Sequence, residues 1–127
     1  MRHLSDRDLW MLIALSSVGE HFRPLNLQGA DLSGADLKYA FLQQANLTDT
    51  NLSGANLEKA NLYQAYLHDA NFSGANLQGA DLSNAYVRGT NFEGADLRGT
   101  NFSGALIKDA NFKDAKIDLK TKGLLQV

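Results

Sequence analysis

Three histidines, His3, His21 and His68, are the side chains of this chain best suited to hold a metal or move a proton. They lie in three unrelated places with no ligand-spaced companion, so no metal site is expected. His68-Asp69 has the residue types of an acid–base pair, but adjacent surface positions of a repeat are ordinarily just solvated. Ser33, Ser53, Ser73 and Ser103 recur at one repeat position with no base beside them. The 11 glycines form no Gly-rich stretch that leads into a helix with Lys-Ser/Thr, which a phosphate cradle needs. With no cysteine, neither disulfides nor thiolate metal sites arise. No catalytic residue, cofactor site or metal site is expected, and the chain is read as a non-enzyme.

What the chain does contain is a period. Stepping by fives from Leu27 lands on an apolar residue every time, through Leu67, Phe72, Val87 and Ile107 to Ile117, 19 centres in all. Two residues before each centre sits Ala or Thr, from Ala30 to Ala115; only Leu25 differs. Repeats govern every later reading of such a chain. A helix turns about 100° per residue, so a five-residue step scatters the centres around its axis. A plain strand alternates faces, so successive centres would point to opposite sides. Within one repeat, Ala30 and Leu32 share a face if the chain is extended. The chain must then turn before Ala35. Gly34, Gly54, Gly74 and Gly79 fall at that fifth position, with Asp49, Asn84, Asp109 and Asp114 elsewhere in the series, as tight turns favour. A short side followed by a corner, repeated, makes a solenoid.

The pattern Ala-(Asn/Asp)-Leu-X-X resembles the pentapeptide repeat family over roughly residues 25 to 119. The resemblance implies an all-β solenoid, a right-handed quadrilateral β-helix with four repeats per coil and about five coils. Centres and Ala/Thr residues would point inward and the other three positions outward. At the usual strand spacing of about 4.8 Å the rod would be about 22 Å long. The division expected is residues 1–24 for an N-terminal capping helix and linker, 25–119 for the β-helix and 120–127 for a C-terminal tail. Such proteins abound in cyanobacteria, so a cyanobacterial source is expected.

A solenoid exposes core and unpaired backbone at its ends. Ser5 with Asp8 three residues on approximates a capping box. Leu9, Leu12, Ile13 and Trp10 then give an apolar helical face, with Gly19 as a stop. This predicts a helix from about Asp6 to Val18 folded over the first coil. A signal peptide is the rival, because Leu9 to Val18 has the length of its apolar region. Two aspartates in the leading segment and the lack of a clear small-x-small site argue against it, and a membrane span needs about 20 apolar residues. A cytoplasmic location is expected. At the other end Leu124, Leu125 and Val127 are left to cap the last coil, meet another subunit or fray.

The departures from consensus are more informative. The residue before the centre is Asn or Asp in 14 of 19 repeats, the exceptions being Phe41, Tyr66, Tyr86, Leu106 and Lys116. Tyr66, Tyr86 and Leu106 are 20 residues apart, one coil on the family geometry, and should stack on one face. His68, Arg88 and Lys108 form a second ladder on that face, with Asp69, Gly89 and Asp109 at its corner. Phe41 and Tyr63 belong to the neighbouring face. Tyr and Arg are favoured at interface centres, so Tyr66, Tyr86, Leu106, His68 and Arg88 are the candidate partner-binding stripe. The plainer reading is that stacked tyrosines only stabilise each other.

Two functions follow from different classes. One is a non-catalytic scaffold presenting a rigid face to another protein, as a monomer or weak dimer. The other is DNA mimicry, since some family members, among them fluoroquinolone-resistance proteins, bind DNA gyrase as acidic rods. Between Leu25 and Leu119 there are 11 acidic and 7 basic residues, a net of 11 − 7 = −4. Duplex DNA carries roughly 13 charges over about 22 Å. That shortfall favours the scaffold. A net charge of −2 for the whole chain predicts no general attraction to nucleic acid or an anionic membrane.

Overall fold

The structure, a computed structural model, describes Ser5, residues 9–11, Ile13 and residues 24–125. From Asn26 onward the chain repeats one five-residue gesture: a bridging residue, an inward centre, a two-residue turn and a small inward residue. The bridges are parallel and join residues 20 apart, from Asn26↔Asn46 to Asp96↔Lys116. Four turns separate a residue from the one stacked on it, so the coil has four sides. The centres from Leu32 to Phe102 are buried, as are Ala35, Ala60, Ala85 and their equivalents.

The period of five follows from where the backbone N–H groups go. In the repeat Ala30–Gly34, the N–H of Leu32 donates to Asn51 C=O of the next coil, and Gly34 N–H donates to Ser53 C=O. One coil on, Asn51 N–H donates back to Ala30 C=O. Ala35 N–H closes the turn on Leu32 C=O. That leaves Ser33 N–H, which donates to the side-chain Oδ1 of Asp31 at 3.1 Å. All five donors of a repeat are thereby placed, as buried and half-buried backbone requires. The consensus Asn or Asp is an internal acceptor for the residue two positions on.

The corner residue carries positive φ in each repeat turn from Gly29 to Asp114, but not in the last, at Leu119–Lys120. Glycines fill nine of these corners, and Asp49, Asp69, Asn84, Asp109 and Asp114 fill five. Tyr39, Gln44, Lys59 and Gln64 do so as well, at φ between 55° and 64°. Those four lie outside the Gly/Asn/Asp set that turn chemistry favours, and their left-handed backbone carries a cost of about 1–2 kcal/mol each. Partial compensation is visible. Gln44 Nε2 donates to Gln64 Oε1 at 3.0 Å, and Lys38 and Lys59 Nζ lie 5.3 and 5.8 Å from the Tyr39 ring centroid.

Inside, Phe72, Phe92 and Phe112 stack at 5.4 and 5.2 Å, with Phe102 edge-on to the last two. Where Thr replaces the small Ala, its buried hydroxyl is satisfied: Thr50, Thr90 and Thr100 donate to the carbonyls of Leu27, Leu67 and Leu77. Toward the C-terminal end the core opens; Ile107 and Phe112 are half-buried and Ile117 is 60% exposed. Pairing continues past Lys120, since Lys122 bridges Asn101, one residue out of the 20-residue step. Leu124 packs against the core while Leu125 lies in solvent.

Near the N-terminus, residues 9–11 and Ile13 are helical. Leu9 N–H donates to Ser5 C=O at 3.0 Å, the bond that an N-cap residue's carbonyl accepts. Leu9 and Ile13 are buried in the same core cluster as the first coil, and Trp10 Nε1 donates to Asp36 C=O at 3.0 Å. Asp6, Asp8, Leu12, Val18 and Gly19 of the expected helix, together with His3, His21 and Val127, lie outside the described residues. Among the described residues no helix is long and apolar enough to cross a membrane.

The register is directly testable. Leu67→Asp places a charge among fully buried neighbours and is expected to unfold the protein. Ser53→Asp, outward by the same count, should stay within about 0.5 kcal/mol of wild type. Thermal melts of the two variants read the difference, and equal melts would break the register.

Candidate functional site

The coil brings the predicted ladder together. Tyr66 bridges Tyr86 and Tyr86 bridges Leu106. The two tyrosine rings lie 4.8 Å apart and within 1° of parallel. That distance equals one rung of the solenoid, so the side chains rise in step with their backbones. Tyr66 is 43% exposed and Leu106 59%, with Tyr86 half-buried between them. His68 sits beside the column, its ring centroid 6.2 Å from that of Tyr86. Arg88 Nε approaches Asp109 Oδ2 at 3.9 Å with both side chains largely exposed, a pair that water screens and that contributes little.

This column has a local cost. All 14 Asn/Asp repeats make the internal bond to the residue two positions on, from Asn26 with Gln28 to Asn111 with Lys113. A Tyr or Leu cannot accept it. The N–H groups of His68, Arg88 and Lys108 accordingly have no acceptor among the described residues. The Phe41 repeat shows the same loss at Gln43, whose Oε1 is also buried without a partner. Three successive coils give up a bond that 14 other repeats keep.

Two depressions flank His68. The first lies toward the N-terminus, between Pro24 and Leu25 on one side and Tyr66 and His68 on the other. The second is lined by His68, Asp69, Arg88, Gly89 and Asp109. Gly89 is at φ +70°, and a Cβ there would collide with Asp69 Oδ1, so the Asp69 carboxylate leans over the glycine. No group of three or more His, Cys, Asp or Glu able to hold a metal occurs among the described residues.

Elsewhere the charges are spent locally. On the opposite face Arg98 donates from Nε and a terminal nitrogen to the two Asp96 oxygens at 2.9 and 2.7 Å, and Gln78 adds a third bond. The Arg98 hydrogen bond holds the Asp96 carboxyl below its usual range, so that contribution to stability is present above the unfolded-state pKa and fades as pH falls through the folded one. Lys38 pairs with Glu58 at 3.6 Å. A second set of exposed rings, Tyr39, Phe41 and Tyr63, lies around the neighbouring corner. The repeat pattern does not single out Tyr39; the available signal is a bulky residue at a corner where Gly, Asn or Asp is usual.

Pentapeptide repeats match residues 26–62 in 8 copies, and a pentapeptide repeat region matches residues 45–120. The chain belongs to the pentapeptide repeat family. Membership implies a right-handed quadrilateral β-helix, in keeping with four turns per 20-residue step. Solved relatives include the pentapeptide repeat protein Rfr23 from the cyanobacterium Cyanothece, at 35% identity over 80% of this chain and 66% of that one, TM-score 0.40. HetL from the cyanobacterium Nostoc, involved in heterocyst differentiation regulation, is 40% identical over 71% of this chain and 46% of its own, TM-score 0.37. QnrB1, a plasmid-mediated fluoroquinolone resistance protein, is 24% identical over 78% of this chain and 49% of its own, TM-score 0.63, a likeness of fold alone. This pentapeptide repeat chain spans about half the length of HetL and QnrB1. No curated protein sequence matches it.

The Asp69 contact yields a prediction within the family's own repeat logic. Gly34 and Gly89 have nearly the same φ, but a Cβ at Gly34 meets nothing within 4 Å. Gly34→Ala should show only the left-handed backbone cost of about 1–2 kcal/mol. Gly89→Ala should cost more, because Asp69 must also move. Urea unfolding of both variants measures the gap, and equal costs would refute the contact.

Proposed function

We propose that this protein is a non-catalytic binding protein whose Tyr66–Tyr86–Leu106 face, edged by His68 and Arg88, docks a partner protein. The observation that carries the reading is the surrendered hydrogen bond. The sequence replaces the acceptor Asn in three stacked repeats and sets exposed aromatic and aliphatic groups there instead. Stacking between the two tyrosines offsets part of that loss, about 0.5–1.5 kcal/mol, but it does nothing for Leu106, which is more exposed than either ring. An exposed apolar column beside cationic side chains has the composition of an interface centre.

On this reading the rod has about five coils, the helical residues 9–11 and Ile13 cap its first end, and the protein acts as a monomer or weak dimer in the cytoplasm without cofactor or metal. The serine column and His68 are read as structural: the Ser33 hydroxyl donates to the Asp31 carboxylate of its own turn at 2.7 Å, and His68 stands beside Tyr86, 6.2 Å away between ring centroids. Gyrase inhibition by DNA mimicry is the weaker reading, because the face that departs from consensus carries Arg88 and Lys108 where a DNA mimic needs carboxylates.

Replacing both tyrosines by Asn, the repeat's own residue, tests this. The asparagines should restore acceptors for the His68 and Arg88 N–H groups, so stability should stay within about 1 kcal/mol. Partner affinity should fall by about 2 kcal/mol or more, read as loss of partners in a quantitative affinity pulldown against wild type. Unchanged capture of the same partners would reduce the column to a structural staple.

A further inference from the structure

The geometry points to a seat for one aromatic side chain of the partner in the first depression, stacked on the face of Tyr66 that turns away from Tyr86. This inference rests on the protein-binding reading above. Tyr86 covers one face of the Tyr66 ring at 4.8 Å and 1°. The next rung toward the N-terminus holds Asn46, bridged to Tyr66. Its short side chain is tied to its own neighbourhood: Oδ1 accepts from Thr48 N–H at 3.1 Å, and Nδ2 donates to Gln28 Oε1 at 3.4 Å. The second face of Tyr66 is thus left open to the depression, in agreement with the ring's 43% exposure. The aromatic column stops one rung short of the space available to it.

That space has the size and chemistry of a ring site. It is an open cleft of about 480 Å³, ended by Pro24 and Leu25 and floored by Asn26 and Asn46. From the Asn26 rung to the Tyr66 rung is two steps, about 9.6 Å. A planar group at the Asn46 rung would continue the stack at the spacing that Tyr66 and Tyr86 already keep. Among the described residues the lining offers no carboxylate, ammonium or guanidinium to pair with a charged side chain. Thr48 Oγ1 and the His68 imidazole make no hydrogen bond among the described residues, so both can meet the polar atom of a phenol or indole. Tyr or Trp fits these features better than an aliphatic group, which would forfeit the stacking.

The probe is N-acetyl-L-tryptophanamide, titrated into the full-length ¹⁵N-labelled protein, with N-acetyl-L-leucinamide as its aliphatic counterpart. The indole should shift the amides of Asn46, Thr48, Tyr66 and His68, and bind roughly 2- to 13-fold tighter than the leucine compound. Asn46→Tyr should abolish those shifts by extending the column into the seat while keeping Tyr66 and Tyr86 in place. It gives up the Thr48 N–H acceptor just as Tyr66 does for His68, so the coil tolerates such a residue. Tyr66→Asn, which removes the platform, is the second variant and should also abolish the shifts. Equal binding of the leucine compound, shifts confined to other faces, no shifts at all, or shifts that survive both variants would overturn the seat. With a captured partner in hand, loss of binding in Tyr66→Asn/Tyr86→Asn but not in Asn46→Tyr would sink the seat and leave the protein-binding reading standing. Retention by both would remove the two together.

Discussion

The backbone hydrogen bond between coils is the interaction on which the rest of this molecule depends. Leu67 N–H reaches Tyr86 C=O, Tyr86 N–H reaches back to Ala65 C=O, and the same exchange recurs on every side of the coil. These bonds fix the height of each rung and leave no freedom of register, because a slip of one residue would turn the apolar centres out of the core. Packing then follows. Leucine and phenylalanine centres fill the interior, and alanine or threonine fits where the chain passes closest.

A fixed rung height turns sequence distance into surface position. Side chains 20 residues apart become neighbours, so a substitution repeated at that interval draws a line along the rod. The tyrosine pair shows the rule most clearly, its ring separation matching the backbone rise. The same rule builds the core, where Phe72, Phe92 and Phe112 stack by the same interval. Side chains held in place in this way would lose little freedom on meeting a partner, which lowers the ordering cost of any binding.

Much of this arrangement is legible in the amino-acid sequence. The five-residue apolar series identifies the inward centres, and the 20-residue interval of Tyr66, Tyr86 and Leu106 identifies the outward column. What the series does not expose is the reason for its commonest outward residue. The Asn/Asp consensus reads as mere polarity until the N–H of the residue two positions on is seen to need an acceptor. The cost of each departure is therefore hidden, and with it the strength of the case for the Tyr face. Tyr39, Gln44, Lys59 and Gln64 are also hidden as left-handed corners, because propensity ranks them poorly there and the neighbouring coils override it. The cleft beside Tyr66 has no signature in the repeat at all. It arises from the contrast between a short Asn46 and a long Tyr66 on adjoining rungs.

The most direct test of the account is whether Tyr66 and Tyr86 are rung neighbours in solution. The chain has no cysteine, so an introduced pair would be its only thiols. Rung neighbours lie within the Cα range of about 4.4–6.8 Å that a disulfide spans. Mild oxidation of Tyr66→Cys/Tyr86→Cys, followed by thiol counting on the monomer, should find both thiols consumed within one molecule. Tyr66→Cys/Asn91→Cys, separated by a corner and a rung, should keep both. A 66/86 pair that stays reduced, or links only between molecules while the 66/91 pair closes, would contradict the 20-residue coil.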